Sequence, residues 1–193
     1  MKLLHLDSSI MGEGSASRAI SAAIVERFRE TNPGLDVAYR DLAADPIAHI
    51  TLDAYLTLGE GEDVQQFLDA DVVVIGAGFY NFSIPSQLKA WIDRIAVKGK
   101  TFTYGESGPV GLAAGKRVII ALARGNVYGA GSPYAAYEHA ETLLRSIFSF
   151  VGADVEVIVA EGLGRGEDAR LAAIEGALEQ ARRMPQSSLA AAA

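Results

Sequence analysis

The sequence predicts an α/β three-layer sandwich: a five-stranded parallel sheet of order 2-1-3-4-5 with helices on both faces. Three observations predict it. Five short runs rich in β-branched and other apolar residues recur along the chain. The runs are apolar throughout rather than at every second residue, as in strands buried on both faces. The segments between them carry helical spacing.

The runs are "KLLHLD" (2–7), "LDVAYRDL" (35–42), "DVVVIGAG" (71–78), "KRVIIALA" (116–123) and "DVEVIVAEGL" (154–163). Over residues 16–31, Ile20, Ala23, Ile24 and Phe28 fall at i, i+3, i+4 and i+8, and "NPG" supplies the stop. Leu88, Trp91, Ile92 and Ile95 repeat the pattern over 86–97, and 133–151 and 166–184 are long enough for two more helices. Five strands in this alternation suit the flavodoxin-like order, in which a ligand crevice lies beyond the carboxyl ends of the strands, by the first and third. No repeat or linker divides the chain, so residues 1–193 are read as one domain, with 186–193 a disordered tail.

Composition narrows the function. No cysteine is present, which removes thiol catalysis, disulfides and thiolate metal sites. Net charge is -7 without a Lys/Arg run, so nucleic acid is not an expected partner. Asp7 interrupts the apolar N-terminus well short of a signal core or a membrane span. The expectation is a cytoplasmic protein with no membrane partner. His5, His49 and His139 form no metal-ligand spacing, so no metal is expected; His5 in a strand and His139 in a helix read as structural. The acidic residues of 161–179 read as a solvated helix face.

Three loops at one sheet edge carry the functional signal. The first, "SSIMGEGSASRA" (8–19), is neither G-x-G-x-x-G nor a Walker A loop. Its Ser9, Ser15 and Ser17 can donate to phosphate oxygens beside the free N–H groups of a helix start. Ser15 alone would read as an N-cap. The second, "FYNFSIP", places Phe79, Tyr80, Asn81 and Phe82 at the crevice; single aromatics are usually core, but three in four residues point to a flat ligand. Asn81 can donate and accept against a pyrimidine edge. The third, "ARGNVYGAGSPY", offers Arg124 to offset the charge of a reduced flavin, Gly125 for close approach, and Asn126 and Tyr128 to hydrogen-bond or stack. A surface charge is the ordinary alternative for Arg124.

With these residues in view, the chain resembles the FMN-dependent NADH-azoreductases, allied to the NAD(P)H quinone oxidoreductases. The resemblance runs through "SS" with "SxS", "RDLA" (40–43), "YNFSIPSQLKAWIDRI", "GKTFTY", "GPVGLAAGKRVII" and "RG" (124–125). It implies that Ser9 and the Ser15-Ala16-Ser17 turn hold the FMN phosphate, that Phe79 to Phe82 border the isoalloxazine, and that Ala123, Arg124, Gly125 and Asn126 lie near its other side. It further implies a homodimer with shared active sites, in which Phe102 and Tyr104 of "GKTFTYGESGPVGLAAGK" join Tyr128 in roofing the flavin or lining the substrate pocket; a loop tucked onto its own domain is the alternative. The chain departs from the family's frequent "PMYNF" and "SRGG" with "GFYNF" and "ARGN", and its segment before residue 64 is shorter than usual.

The activity so implied is ping-pong: hydride passes from NADH to flavin N5, and two electrons then pass to a quinone or an aromatic azo compound. An azo bond taken to two amines needs two rounds of NADH. No side-chain acid or base is required, because the flavin carries the chemistry. Two other readings stay open from the residues: a flavodoxin-type electron carrier, and a flavin-binding or binding-only regulatory module.

Overall fold

A computed structural model of the chain describes residues 1–185; the expected disordered tail at 186–193 lies outside the described residues. The five expected strands are β1 (Lys2–Asp7), β2 (Asp36–Asp41), β3 (Val72–Gly78), β6 (Arg117–Ala123) and β7 (Asp154–Ala160), interrupted in sequence by a hairpin of β4 (Phe102–Gly105) and β5 (Gly108–Gly111). They form one parallel sheet of order β2-β1-β3-β6-β7, which is 2-1-3-4-5 when the hairpin is set aside. No helix among the described residues is long and apolar enough to cross a membrane.

The pleat sorts each strand's residues between two cores. Leu4, Leu6, Val73, Ile75, Val118 and Ile120 face one layer. There α3 (Glu62–Asp69), α4 (Ser86–Ile95) and α5 (Ala140–Phe150) contribute Phe67, Trp91 and Phe148, whose ring centroids lie 6.1 to 6.4 Å apart. Leu3, Val72, Val74, Ile119 and Ala121 face the other layer, against Ile20, Ile24 and Phe28 of α1 (Ala16–Thr31) and Ala177 and Ala181 of α6 (Glu167–Arg183). Each fully buried large apolar side chain stabilises by about 1.5–3 kcal/mol, so these two layers hold the strand ends that carry the loops.

Three boundaries differ from the sequence reading, and one helix is added to it. The helix expected over 133–151 begins only at Ala140, because the Glu138 carboxylate accepts from the N–H groups of Ala140, Glu141 and Thr142 and so caps the helix there. His139 therefore precedes the helix rather than lying in it. The helix expected over 86–97 ends at Ile95, whose carbonyl accepts from the buried Thr101 hydroxyl at 2.7 Å. The run at 154–163 ends as a strand at Ala160, and Gly162 N and Leu163 N donate to Asn126 O and Arg124 O, tying 161–163 to the loop after β6. A helix the apolar runs did not reveal, α3, follows the short α2 (Leu52–Leu56) in the connection from β2 to β3.

Candidate functional site

The carboxyl ends of β1, β3 and β6 open into a cleft of about 270 Å³ lined by both polar and apolar groups, just under the roughly 300–1,000 Å³ of small-molecule sites. Ser9, Met11, Gly14, Ser15, Ala16 and Ser17 form one end. Gly78, Phe79 and Tyr80 form one wall; Ala123, Gly125, Leu163 and Gly164 form the other, with Arg170 at the rim.

The serine end sets three hydroxyls against the start of a helix. Ser15 is the N-cap of α1, its Oγ accepting from Arg18 N at 3.3 Å, and that Oγ also lies 3.1 Å from Ser17 Oγ. Ala16 and Ser17 are the first residues of the helix, where backbone N–H groups have no intrahelical acceptor and the helix dipole is positive. Cap and anion donor are thus compatible tasks for this turn. Ser9 Oγ lies 3.1 Å from the Tyr80 hydroxyl and accepts from Met11 N at 3.3 Å, tying the first loop to the second. A Cβ at Gly78 would come within 2.9 Å of the Tyr80 ring, so the ring lies directly over that backbone and would have to shift for any larger residue.

Asn81 and Phe82 occupy the left-handed region, φ 48° and 71°, as the centre of a tight turn closed by Tyr80 N to Ser83 O at 2.9 Å and Ser83 N to Tyr80 O at 3.1 Å. Asparagine tolerates that conformation, whereas a bulky residue there costs about 1–3 kcal/mol. His139 N to Phe82 O at 3.0 Å and the Tyr137 ring at 5.2 Å hold Phe82 in place. Phe82 is nevertheless 46% exposed, so strain and exposure coincide beside the cleft.

A model of a family described as a flavodoxin-like fold matches residues 1–184. FMN-dependent NADH:quinone oxidoreductase 2 of Bradyrhizobium diazoefficiens is 52% identical over 197 residues, covering 94% of this chain and 97% of that protein. The chain belongs to this flavodoxin-like family of quinone oxidoreductases. FMN-dependent NADH:quinone oxidoreductase of Gluconacetobacter diazotrophicus is 53% identical over 192 residues, covering 92% and 96%. Among solved structures, an FMN-dependent NADH-azoreductase from Bacillus anthracis in complex with FMN matches with a TM-score of 0.81 at 26% identity, over 94% of this chain and 98% of that one.

Of the residues picked from sequence, Ser9, Ser15, Ala16, Ser17, Phe79, Tyr80, Ala123 and Gly125 line the cleft. Asn81, Phe82 and Asn126 do not line it; the first two sit at the turn tip, and the Asn126 carbonyl accepts from Gly162 N at 3.3 Å, bracing the wall from behind. Tyr128 packs on Phe79 with centroids 4.5 Å apart and lines a neighbouring hollow with Arg124.

Two sets of expected site residues lie away from the lining of this chain's own cleft. Arg124 does not present a free charge to the cleft: it is 2% exposed, and Glu141, Glu138 and Glu161 surround its guanidinium at 2.7, 3.2 and 3.5 Å. Three carboxylates offset its positive charge at Nη1 and Nη2, while its Nε is buried without a hydrogen-bond partner among the described residues. Phe102 and Tyr104 do not line their own chain's cleft, because the β4–β5 hairpin packs on the end of α5; Phe102 meets Phe150 at 4.7 Å, and Gly111 fits against the Val151–Gly152 backbone so closely that a Cβ would lie 2.3 Å from Gly152 N.

Sequence reasoning missed Met11, Gly14, Gly78, Leu163, Gly164 and Arg170. Arg170 is the cationic side chain among the cleft-lining residues, and it donates to Gly14 O at 2.6 Å. Gly164 N donates to Gly125 O at 2.7 Å and Leu163 N to Arg124 O at 3.2 Å, locking the two loops into one wall. Glu161, read as a solvated charge, receives Tyr128 N at 3.0 Å as well as Arg124.

Proposed function

We propose that this chain is an FMN-dependent NADH:quinone oxidoreductase that also reduces aromatic azo compounds, working by a ping-pong order. The observation that carries the reading is the joining, in one cleft, of a hydroxyl-rich helix start to an aromatic wall faced by small residues. The residues fit a flat anionic cofactor. Hydroxyls of Ser9, Ser15 and Ser17, with the N–H groups of Ala16 and Ser17, would hold the phosphate. Phe79 and Tyr80 would flank the ring, and Ala123, Gly125 and Gly164, lacking bulk, would let it approach the backbone. FMN, when bound, supplies a two-electron hydride acceptor and donor.

The chain's own residues would then have three tasks: to hold the phosphate end, to border the ring between the walls, and to leave one mouth open. Donor and acceptor would use that mouth in turn, which is the physical content of the ping-pong order. Exposed Phe82, Tyr134 and Tyr137 beside it, and exposed Tyr104 and Val110 on the hairpin, suit a homodimer in which a partner's hairpin completes the mouth. Sedimentation would read the oligomeric state.

The testing experiment is anaerobic. NADH added to the FMN-loaded protein is expected to bleach the visible flavin absorbance, and benzoquinone or methyl red to restore it. Bound flavin that NADH cannot reduce would overturn the enzyme reading in favour of an electron carrier. Ser17→Ala is expected to weaken FMN binding about tenfold, by loss of one hydrogen bond to a charged group. Ser15→Ala should do the same and also lower stability by about 1 kcal/mol through the lost cap. Flavin-fluorescence titration and thermal melts separate the two effects.

A further inference from the structure

Residues 10–14 of the serine loop are all exposed, so no apolar burial fixes their path. Polar ties must do it. Arg18 is attached to both ends of the loop: its backbone N–H donates to Ser15 Oγ at 3.3 Å, and its Nη2 and Nε donate to Ser9 O at 2.8 and 3.3 Å. The guanidinium is itself held from behind. Nη1 and Nη2 donate to the two carboxylate oxygens of Asp41, both at 2.7 Å, at the end of β2. Tyr39 OH lies 3.3 Å from Nη1, and Asp7 Oδ2 lies 3.9 Å away. Asp41 is fixed in turn, its Oδ1 accepting from Ala43 N at 3.0 Å and Ala44 N at 3.2 Å.

We propose that Arg18 is a positioning residue for the phosphate turn: clamped by Asp41, it pins the Ser9 carbonyl and the Ser15 cap, and so presets the hydroxyls and N–H groups that receive the cofactor's phosphate. The inference rests on the reading of that turn as a phosphate site. Arg18 does not act as the phosphate's counter-charge, because it lies outside the cleft lining and Asp41 neutralises it. The planar guanidinium meets both Asp41 oxygens bidentately through Nη1 and Nη2 and Ser9 O through Nε and Nη2, a spread geometry that lysine's single nitrogen does not reproduce. The hydrogen bond to Asp41 raises the Arg18 pKa, and the one to Arg18 lowers that of Asp41, so the clamp stays ionised through the neutral range. A trans peptide sets its N–H opposite its C=O, so pinning Ser9 O also fixes the direction of the Ile10 N–H.

The test compares FMN with riboflavin, which shares the ring and lacks the phosphate, by fluorescence titration of the flavin-free protein. Wild type should prefer FMN. In Arg18→Met, FMN affinity is expected to fall about tenfold or more, as for lost hydrogen bonds to charged groups, while riboflavin affinity changes less than about twofold. Arg18→Lys should recover only part of the loss, and Asp41→Asn should lower the FMN-to-riboflavin ratio in the same direction. An Arg18→Met protein with an unchanged ratio, whether both ligands weaken equally or neither does, overturns the positioning role while leaving the phosphate reading intact. A wild type with no preference for FMN overturns the phosphate reading and the inference together. Should Arg18→Met fail to fold by circular dichroism, the ratios of Arg18→Lys and Asp41→Asn decide: unchanged ratios in both overturn the proposal.

Discussion

Replacing Arg124 by methionine is expected to destabilise the protein by about 3–5 kcal/mol, the scale for removing one partner of a buried ion cluster. At roughly 2–4 °C per kcal/mol for a chain of this size, the melting temperature should fall by roughly 10 °C. The reason is the company Arg124 keeps. Glu138, Glu141 and Glu161 converge on it with side chains 11, 26 and 29% exposed. Without the cation they would face one another with little water between them. Methionine restores the apolar contact with Phe79, over which the guanidinium now sits at 6.0 Å, but none of the charge.

The pH dependence has a definite sign. Burial pushes the Glu138 carboxyl up, but the N–H groups of Glu141 and Thr142, the Arg124 charge and the Thr142 hydroxyl together hold it below the usual glutamate value. A depressed carboxyl contributes stability that is present above its unfolded pKa and is lost as pH falls through the lower folded one. In Arg124→Met the Arg124 contribution disappears and the carboxylates repel, so protonation relieves the variant. The deficit against wild type should be largest near neutrality and shrink as pH falls into the carboxylate range. Melts of both proteins at about pH 7 and about pH 4.5 check this; a deficit independent of pH would contradict the electrostatic cause.

Arg124 also shows where the sequence was readable and where it was not. Its position at the end of a buried strand was legible from the apolar run before it, and so was its place at the sheet edge where the strands' carboxyl ends gather. Its three partners were not, since Glu138, Glu141 and Glu161 come from two later segments that only the packing of α5 and β7 brings together. Ser9, Ser15, Ser17, Phe79, Tyr80 and Gly125 were legible for the opposite reason: a parallel sheet gathers all strand carboxyl ends at one edge, so the loops after them meet whatever the details. Arg170 reaches Gly14 across 156 positions, and no local pattern marks such a contact. Helix α3 was missed because eight residues make barely two turns, with Val64 and Phe67 its only buried positions. The hairpin was missed because four-residue strands around Glu106 and Ser107 leave too short an alternation to read.

The second large effect is expected at Gly76, and its contrast with Gly125 separates fold from function. Gly76 pairs with Asp7 across the β1–β3 ladder. A Cβ there would lie 2.2 Å from Asp7 Oδ1, 3.0 Å from Ser21 Oγ and 3.2 Å from Ser17 O. The carboxylate is not free to yield: Oδ1 accepts from Ser21 Oγ at 2.8 Å, Oδ2 accepts from Tyr39 OH at 3.2 Å, and the residue is 3% exposed. Gly76→Ala therefore combines overpacking with displacement of a buried charge from its donors, about 3 kcal/mol or more together. The flavin-free protein should melt roughly 6–12 °C lower. Gly125 is the opposite case. Nothing lies within 4 Å of a Cβ built on it, and it lines the cleft. Gly125→Ala should leave the melting temperature of the flavin-free protein unchanged while its methyl group takes space from the ring and weakens FMN binding. Equal melting temperatures for the two variants would mean that Asp7 can swing away from β3; equal FMN affinity for wild type and Gly125→Ala would mean that the ring does not rest against this wall.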